Sequence, residues 1–434
     1  MKAKILGILF VLLLVGVLLP ACTQQAAPSP TAAARTVVLV NVSDLTGPTI
    51  SIQAPIARGF EDYLNYYVNK VKGGIKGKNG TVMVRGVAID TAYDVTKAKE
   101  AWARMKGEGM IAANSYMGGI TGGLQADFER DKIPMLAGSS DIVAAWSEWV
   151  FSMGNSGHPS ETTGWLNGLM KLYKQKGVPL TTVGWTGGDA PYQPSFMVGV
   201  DEWAAQYGIK VVKELYPAGS TDITEVVARL KRTGVQEVYH TCPARDAVVF
   251  LRDWKKAGMD PGITTMAICQ SSTDIAALGG KDLIEGVKFE NWWMQLDKDP
   301  KTPDPAGFKI ARDIWKELRP KDTLTDLNVA GMCWAMTLEE AVRLALDNVT
   351  PDKLTGETLR EHGFGRMKDW TANGLIAPTT YGDQTKMPWE PGPPYTYRIM
   401  KGGILTDVVT AEQSMMFPPG KKDELVKKYN IKLQ

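Results

Sequence analysis

Residues 37–77 read VVLVNVSDLTGPTISIQAPIARGFEDYLNYYVNKVKGGIKG. Val37–Val42 is a nearly unbroken β-branched and aliphatic run, the pattern of a strand buried on both faces. Leu45-Thr46-Gly47-Pro48 follows as a turn. Ile56, Phe60, Leu64, Tyr67 and Val71 then recur at helical spacing, and Lys72-Gly73-Gly74-Ile75-Lys76-Gly77 breaks that helix. A buried strand, a turn and a long helix open a βαβ series, and such series build parallel sheets covered on both faces.

The series continues downstream. The pattern predicts a strand over Thr81–Asp90, a helix over Val95–Lys106 and a short strand over Met110–Ala113. A Gly-rich loop then leads to a helix from about Gly122 to Arg130, and Ile133–Ala137 is the next strand. After about residue 155 the alternation restarts. Helices are expected over Ser160–Lys176, Ser195–Tyr207, Asp222–Thr233 and Arg245–Ala257, with Asp222 placed as a cap. Strands are expected over Thr181–Thr186, Lys210–Leu215, Glu237–Thr241 and Ile263–Cys269. Helices near 304–318, 328–347 and 355–363 follow, then a hairpin of Tyr395–Met400 with Ile404–Val409. Two such series imply two Rossmann-like lobes.

Composition narrows the class. The 434 residues are 44% hydrophobic and 22% charged, with 44 Gly and 25 Pro, which excludes a disordered, collagenous or multispan membrane chain. Residues 1–21 read MKAKILGILFVLLLVGVLLPA: two lysines, an apolar run from Ile5 to Leu19, then small residues, the layout of a secretory signal. The apolar run is shorter than the roughly 20 residues a span requires. Removing it takes Lys2 and Lys4 from 49 basic residues, leaving 47 against 47 acidic ones. That balance gives no support for nucleic-acid binding, where a basic face supplies the attraction.

Chemistry-bearing motifs are sparse. His158, His240 and His362 are the three histidines; His240 lies two residues before Cys242, but no further Cys or His follows at zinc-ligand spacing. Neither a G-x-S-x-G elbow nor a Walker A loop occurs. Gly118-Gly119-Ile120-Thr121-Gly122-Gly123 lacks dinucleotide spacing, yet a Gly-rich turn after a strand exposes backbone N–H groups suited to a carboxylate or other anion. The bland alternative is a tight turn with no ligand. Ligands of parallel sheets bind beyond the carboxyl ends of the strands. The candidate loops there are Ser43–Ile52, Ser139-Ser140-Asp141, Asp189–Tyr192, Cys242-Pro243-Ala244 and Gln270-Ser271-Ser272. They offer hydroxyls, amides and rings, and no nucleophile paired with a base. Reversible binding is therefore expected, with no catalysis, cofactor or metal.

Two further elements carry a resemblance. Leu19-Pro20-Ala21-Cys22 resembles a bacterial lipobox, which implies lipidation of Cys22 as the first mature residue. The sequence from 23 to 35, TQQAAPSPTAAAR, then reads as a flexible tether. From about Val37 to Thr410 the chain resembles the Leu/Ile/Val-binding family of ABC-importer substrate-binding proteins, with the type I periplasmic-binding fold. The residues that carry it are Leu45-Thr46-Gly47-Pro48, Lys72-Gly73-Gly74-Ile75-Lys76-Gly77, Asp90-Thr91-Ala92-Tyr93-Asp94, Val235-Gln236-Glu237-Val238-Tyr239 and 251–259, LRDWKKAGM.

The resemblance implies two lobes joined by a three-segment hinge, with the ligand in the cleft and a permease as partner. Lobe 1 would comprise 37–154 plus 295–375, and lobe 2 would comprise 155–294 plus 376–434. It implies a monomer, held at the extracytoplasmic face of a bacterial membrane. It assigns the ligand carboxylate to Gly119, Ile120 and Thr121, further contacts to Ser139, Ser140 and Asp141, and a covering ring to Tyr192; Pro243 joins them from the loop after a second-lobe strand.

Where amino-acid-binding members carry an acid for the ligand ammonium, this chain has Gln270. Where they carry a first-loop aromatic it has Ile52, and where they carry a first-lobe disulfide it has Tyr93 and Met117. These departures imply a small carboxylate or amide without an α-amino group, with Asp141 as the alternative ammonium partner. Thirteen tryptophans, Trp185, Trp292 and Trp293 among them, extend the expectation to aromatic ligands. A sensor subunit for a membrane receptor is the alternative role, and an enzyme on the same scaffold is the further one. Of the remaining cysteines, Cys242, Cys269 and Cys333, the first two lie at strand ends where a bridge is conceivable; buried thiols are the simpler reading.

Overall fold

The first chain series contains β1 (Thr36–Ser43), α1 (Ile50–Asp62), β2 (Ile75–Gly77), β3 (Gly80–Asp90), α2 (Val95–Gly107) and β4 (Met110–Ser115). It continues with α3 (Gly118–Gly123), α4 (Gln125–Asp131), β5 (Met135–Ala137) and β6 (Val150–Ser152). The computed structural model describes residues 34–138, 147–153, 158–190, 192–241, 243–267, 270–291, 293–381, 395–411 and 420–428. Among them the first sheet has the order β2-β3-β1-β4-β5-β6, parallel except for the β2–β3 pair. Both faces of β1 are covered. Val37 and Leu39 join the core cluster of Ile52, Ile56 and Phe60 from α1, while Val38, Val40 and Val42 join Ala98, Trp102 and Met105 from α2. Two-sided burial is why the strand reads as a continuous apolar run.

The second series holds α5 (His158–Lys176), β7 (Thr182–Asp189), α6 (Gln193–Met197), α7 (Val200–Gln206), β8 (Lys210–Pro217) and α8 (Thr224–Arg232). It goes on through β9 (Glu237–His240), α9 (Ala244–Lys256), β10 (Thr264–Met266), α10 (Ser272–Ile275) and β11 (Lys288–Asn291). Then come α11 (Ala306–Leu318), α12 (Asp326–Leu346), α13 (Gly356–Thr358), the hairpin β12 (Tyr395–Lys401) with β13 (Ile404–Ala411), and α14 (Lys422–Lys428). The second sheet has the order β13-β12-β11-β10-β9-β7-β8; β7 to β11 are parallel and the hairpin adds an antiparallel edge.

The chain therefore passes between the sheets three times: after β6, after β11, and before β12. The second and third passages run side by side through an antiparallel bridge between Trp293 and Ile376. Arg35–Gln434 forms one unit. Helix α12 is buried along almost its whole length and packs directly on α1. Gly59 and Gly331 permit that approach, because a Cβ on either would strike the other helix's backbone. This places α12 on the first lobe although it follows the second in sequence. The lobes are thus the two-lobe type I arrangement that the resemblance implied.

Local differences from the sequence reading have local causes. The stretch 118–123 is a helix and not an extended loop, so the helix expected from Gly122 begins earlier and is split into α3 and α4. The helix expected over Ser195–Tyr207 is two, divided where Gly199 takes φ 78°. Tyr63–Val71 continues α1 as a π-helix, and Leu359–Gly363 is π-helical as well. Asp222 accepts from the Thr224 N–H at 2.9 Å, but the residue flanking α8 is Ile223. Strand β10 is shorter than Ile263–Cys269, and β2, β6 and β11 were not anticipated. Cys22, Cys242, Cys269 and Trp292 lie outside the described residues. Cys333 is buried in α12, where burial pushes its thiol up.

Candidate functional site

Between the two sheets lies a pocket with about 380 Å³ of atom-free space, lined by Thr49, Ile52, Gln53, Tyr93, Tyr116, Gly118, His158, Tyr192 and Phe196. Thr49 through Gly118 follow β1, β3 and β4; Tyr192 and Phe196 follow β7, and His158 starts α5. In the first sheet β1 sits between β3 and β4, and in the second β7 sits between β8 and β9. Both walls therefore stand at points where strand order reverses, where open α/β sheets leave a crevice.

The first wall is held rigidly. Asp44 accepts from the Gly47 and Thr49 backbone N–H groups and from Thr49 Oγ1 at 2.8 Å, which folds the Gly-Pro turn onto itself. A side chain at Gly47 would collide with that carboxylate. Asp90 ties two loops together, accepting from the Leu45 N–H at 2.8 Å, Thr46 Oγ1 at 2.7 Å and the Ala92 N–H at 2.9 Å. Burial works against its charge, but these hydrogen bonds prevail and hold the carboxyl below its usual range. Thr91 Oγ1 donates to Ser43 O at 2.9 Å, and Tyr93 follows at φ 57°. A left-handed tyrosine is a strained choice, and such strain concentrates at ligand sites. Gln53 Nε2 donates to Tyr116 O at 3.1 Å, and Tyr116 packs on Trp334 with ring centroids 5.2 Å apart.

The second wall is aromatic. His158 stacks on Phe196 at 3.9 Å and 15°, and Tyr192 meets Phe196 edge-on at 6.3 Å. Behind them Trp185 contacts Phe196 and Tyr239, and Trp165 contacts Tyr239. Burial pushes His158 down to about 3, so its ring is neutral at physiological pH.

Of the residues singled out from sequence, Ile52 and Tyr192 line this pocket. Gly119 neighbours the wall residue Gly118, and a Cβ there would lie 3.8 Å from the Tyr93 ring. Ile120 turns into the core with Val42 and Met117, and Thr121 Oγ1 donates to Met117 O at 3.0 Å inside α3. Pro243 O accepts from the Asp246 and Ala247 N–H groups in the first turn of α9. Gln270 is fully buried and bonded to His240, which in turn bonds Tyr216 at 2.8 Å. Ile120, Thr121, Pro243 and Gln270 are thus not brought to the wall; the first two are spent in α3, the others within the second lobe. Ser139, Ser140 and Asp141 lie outside the described residues. Trp185 and Trp293 are core residues, not wall. Thr49 lies inside the candidate loop Ser43–Ile52, whereas Gln53, one residue beyond it, and His158, which had no visible partner, were not assigned to the site from sequence.

At the hinge side a second polar group joins the lobes. Asp274 Oδ2 accepts from the Leu327 N–H of α12 at 3.2 Å and from Ser271 Oγ. Asp326 Oδ1 accepts from the Leu296 N–H at 2.8 Å, and its own N–H donates to Thr273 Oγ1 at 2.9 Å. Asp297 accepts from Ser272 Oγ. Burial pushes Asp274 up to about 6 and raises Asp297; Asp326 is driven well up by burial and by the charges of Asp297 and Asp274. Among the described residues no group of three or more His, Cys, Asp or Glu is arranged to hold a metal ion, and no helix is long and apolar enough to cross a membrane.

The profile of the periplasmic binding protein family matches residues 36–400, and the chain belongs to that family. No curated protein matches it by sequence. Solved structures share its fold at low identity. A branched-chain amino acid ABC transporter protein from Thermus thermophilus with bound valine superposes with a TM-score of 0.75 at 20% identity, covering 90% of this chain and 99% of that one. A fatty acid ABC transporter substrate-binding protein from Thermomonospora curvata gives 0.71 at 18%, covering 92% and 95%. A leucine-binding protein from Thermotoga maritima gives 0.66 at 17%, covering 86% and 98%.

Proposed function

We propose that this periplasmic binding protein is the extracytoplasmic receptor subunit of an ABC importer, binding a small carboxylate, amide or amino-acid-like ligand without chemical turnover. The observation that carries the reading is the pocket itself: one wall from each lobe, at the carboxyl ends of both sheets, around a small apolar space. Hinge closure between two such lobes buries a ligand and changes the outer surface that a permease reads. The named ligands of the structural neighbours, valine, leucine and fatty acid, share an apolar body with a polar head. Ile52, Phe196 and the tyrosines suit such a body.

The same reading takes 37–154 plus 295–375 as one lobe and 155–294 plus 376–434 as the other. It takes Cys22 as the lipid anchor, the protomer as monomeric, and Ser139, Ser140 and Asp141 as a further loop on the first wall. Small-angle X-ray scattering with a panel of branched amino acids, benzoate-type acids, aliphatic acids and amides tests it. A bound panel member should reduce the radius of gyration and emerge chemically unchanged. Binding with no compaction, or conversion of the compound, would overturn the reading.

A further inference from the structure

Two side chains on the α1 part of the first wall, Thr49 and Gln53, have their hydrogens already committed. Thr49 Oγ1 donates to Asp44, so toward the pocket it offers lone pairs only. Gln53 Nε2 donates to Tyr116 O, which fixes the amide's orientation and leaves Oε1 as the free end. Gln53 is 1% exposed, and its Oε1 has no hydrogen-bond partner. The two residues are one helical turn apart, joined by the Gln53 N–H to Thr49 O bond at 3.0 Å, so they share a face. The sheet of the same lobe holds unpaired buried groups of both kinds, donors and an acceptor. Asn41 of β1 and Asn114 of β4 are register partners, both fully buried, on the face that bears Leu39 and Ala112 toward α1. Asn41 Nδ2 and both polar atoms of Asn114 likewise have no partner.

Buried polar atoms are rarely left unsatisfied, because their lost hydration is costly. The adjacent acceptors of Thr49 and Gln53 call for a group with two donors, and at that point they disfavour a carboxylate, which only accepts. A full positive charge there would be desolvated against neutral amides, with no acid among the described wall residues. We infer that Gln53, with Thr49, selects a ligand whose head is a neutral NH2 group, of the carboxamide or urea class, while Tyr192, Phe196 and His158 cover its apolar body. This rests on the binding-protein reading and narrows its ligand.

The test is calorimetric titration of the full chain with isobutyramide, isobutyrate and valine, which share one branched body, and with benzamide against benzoate. Each amide should bind at least tenfold more tightly than its acid and than valine. Gln53→Leu and Gln53→Met should each weaken amide binding tenfold or more in proteins whose cooperative thermal unfolding shows them folded. Equal or tighter binding of the acids overturns the inference. So does tightest binding of valine that Gln53→Leu leaves unaltered, which would assign the ammonium to another acid such as Asp141 yet leave the binding-protein reading standing. Absence of binding by every amide also overturns the head-group assignment. Hydrolysis of an amide would instead overturn the binding-protein reading.

Discussion

Asp274→Asn should make the protein more stable above pH 6 and leave it nearly unchanged below pH 4. Asp274 belongs to the second lobe, yet it accepts the Leu327 N–H at the start of the first-lobe helix α12, with Asp326 and Asp297 beside it. Its burial raises the carboxyl from an ordinary 3.8 to about 6, so the folded chain holds that proton on the order of a hundredfold more tightly than the unfolded one. The stabilisation is fully present below the unfolded value and is lost as pH rises through about 6. At about 1.4 kcal/mol per tenfold step, the loss approaches 3 kcal/mol. Asparagine keeps the size and can still accept from Leu327, but it has no proton to lose. Arg398, which favours the ionised form of Asp297, is left in place, while removing the Asp274 charge takes away one of the influences that raise Asp326. Urea unfolding of both proteins, followed by tryptophan fluorescence at pH 4, 6 and 7.5, checks this. The variant's advantage should grow by about 2–3 kcal/mol from the lowest pH to the highest. Parallel curves, with a difference constant across that range, would refute the reasoning.

Lys288 and Glu237 form a buried pair at 2.8 Å, 4% and 1% exposed, so Glu237→Gln should cost about 3–5 kcal/mol by stranding a buried ammonium, and adding Lys288→Met should recover most of it in chemical denaturation. Gly138→Ala would place its Cβ inside the Trp334 ring and against Tyr116, so a loss of about 1–3 kcal/mol is expected in thermal unfolding, with weaker ligand binding because Tyr116 is wall. Because His158 is held neutral to about pH 3, it should contribute no pH dependence to ligand affinity between pH 5 and 8; His158→Gln should leave the slope of affinity against pH in calorimetry as it is in the parent.

The sequence exposed those parts of the fold whose burial is periodic. Val37–Val42 is covered on both faces by α1 and α2, and that cover is legible as an apolar run. Strand β11 was invisible because it carries Lys288 and Glu290 in the core. Lys288 is buried by pairing with Glu237, and Glu290 accepts from Tyr239 at 2.6 Å while burial raises it to about 8; neither leaves a hydrophobic signature. Strands β2 and β6 have three residues each, too few to show a period. Helix α3 contains four glycines in six residues, so propensity argued for a loop, and packing of Ile120 against Met117 and Val42 decided otherwise. The site followed the same rule. Ile52 and Tyr192 came from loop-by-loop analogy, whereas the polarity of Thr49 and Gln53 depends on which hydrogens Asp44 and Tyr116 O have taken. No residue-type pattern records that.

The two walls consequently differ in what they can discriminate. At Thr49 and Gln53 the first presents lone pairs held by bonds within its own lobe, so their geometry exists before any ligand arrives and their choice is one of head-group chemistry. The second presents rings stacked on one another, which choose by shape and area and are indifferent to charge as long as His158 stays neutral. Closure joins them, and the Leu327 N–H of the first-lobe helix α12 donates to Asp274 of the second lobe across the two. A ligand must supply differential binding to that closed arrangement, and part of what it supplies offsets the burial of Asp274, Asp297 and Asp326. Affinity should therefore fall as pH rises through about 6 even for an uncharged ligand, and Asp274→Asn should remove that slope while the preference set by Gln53 stays as it was.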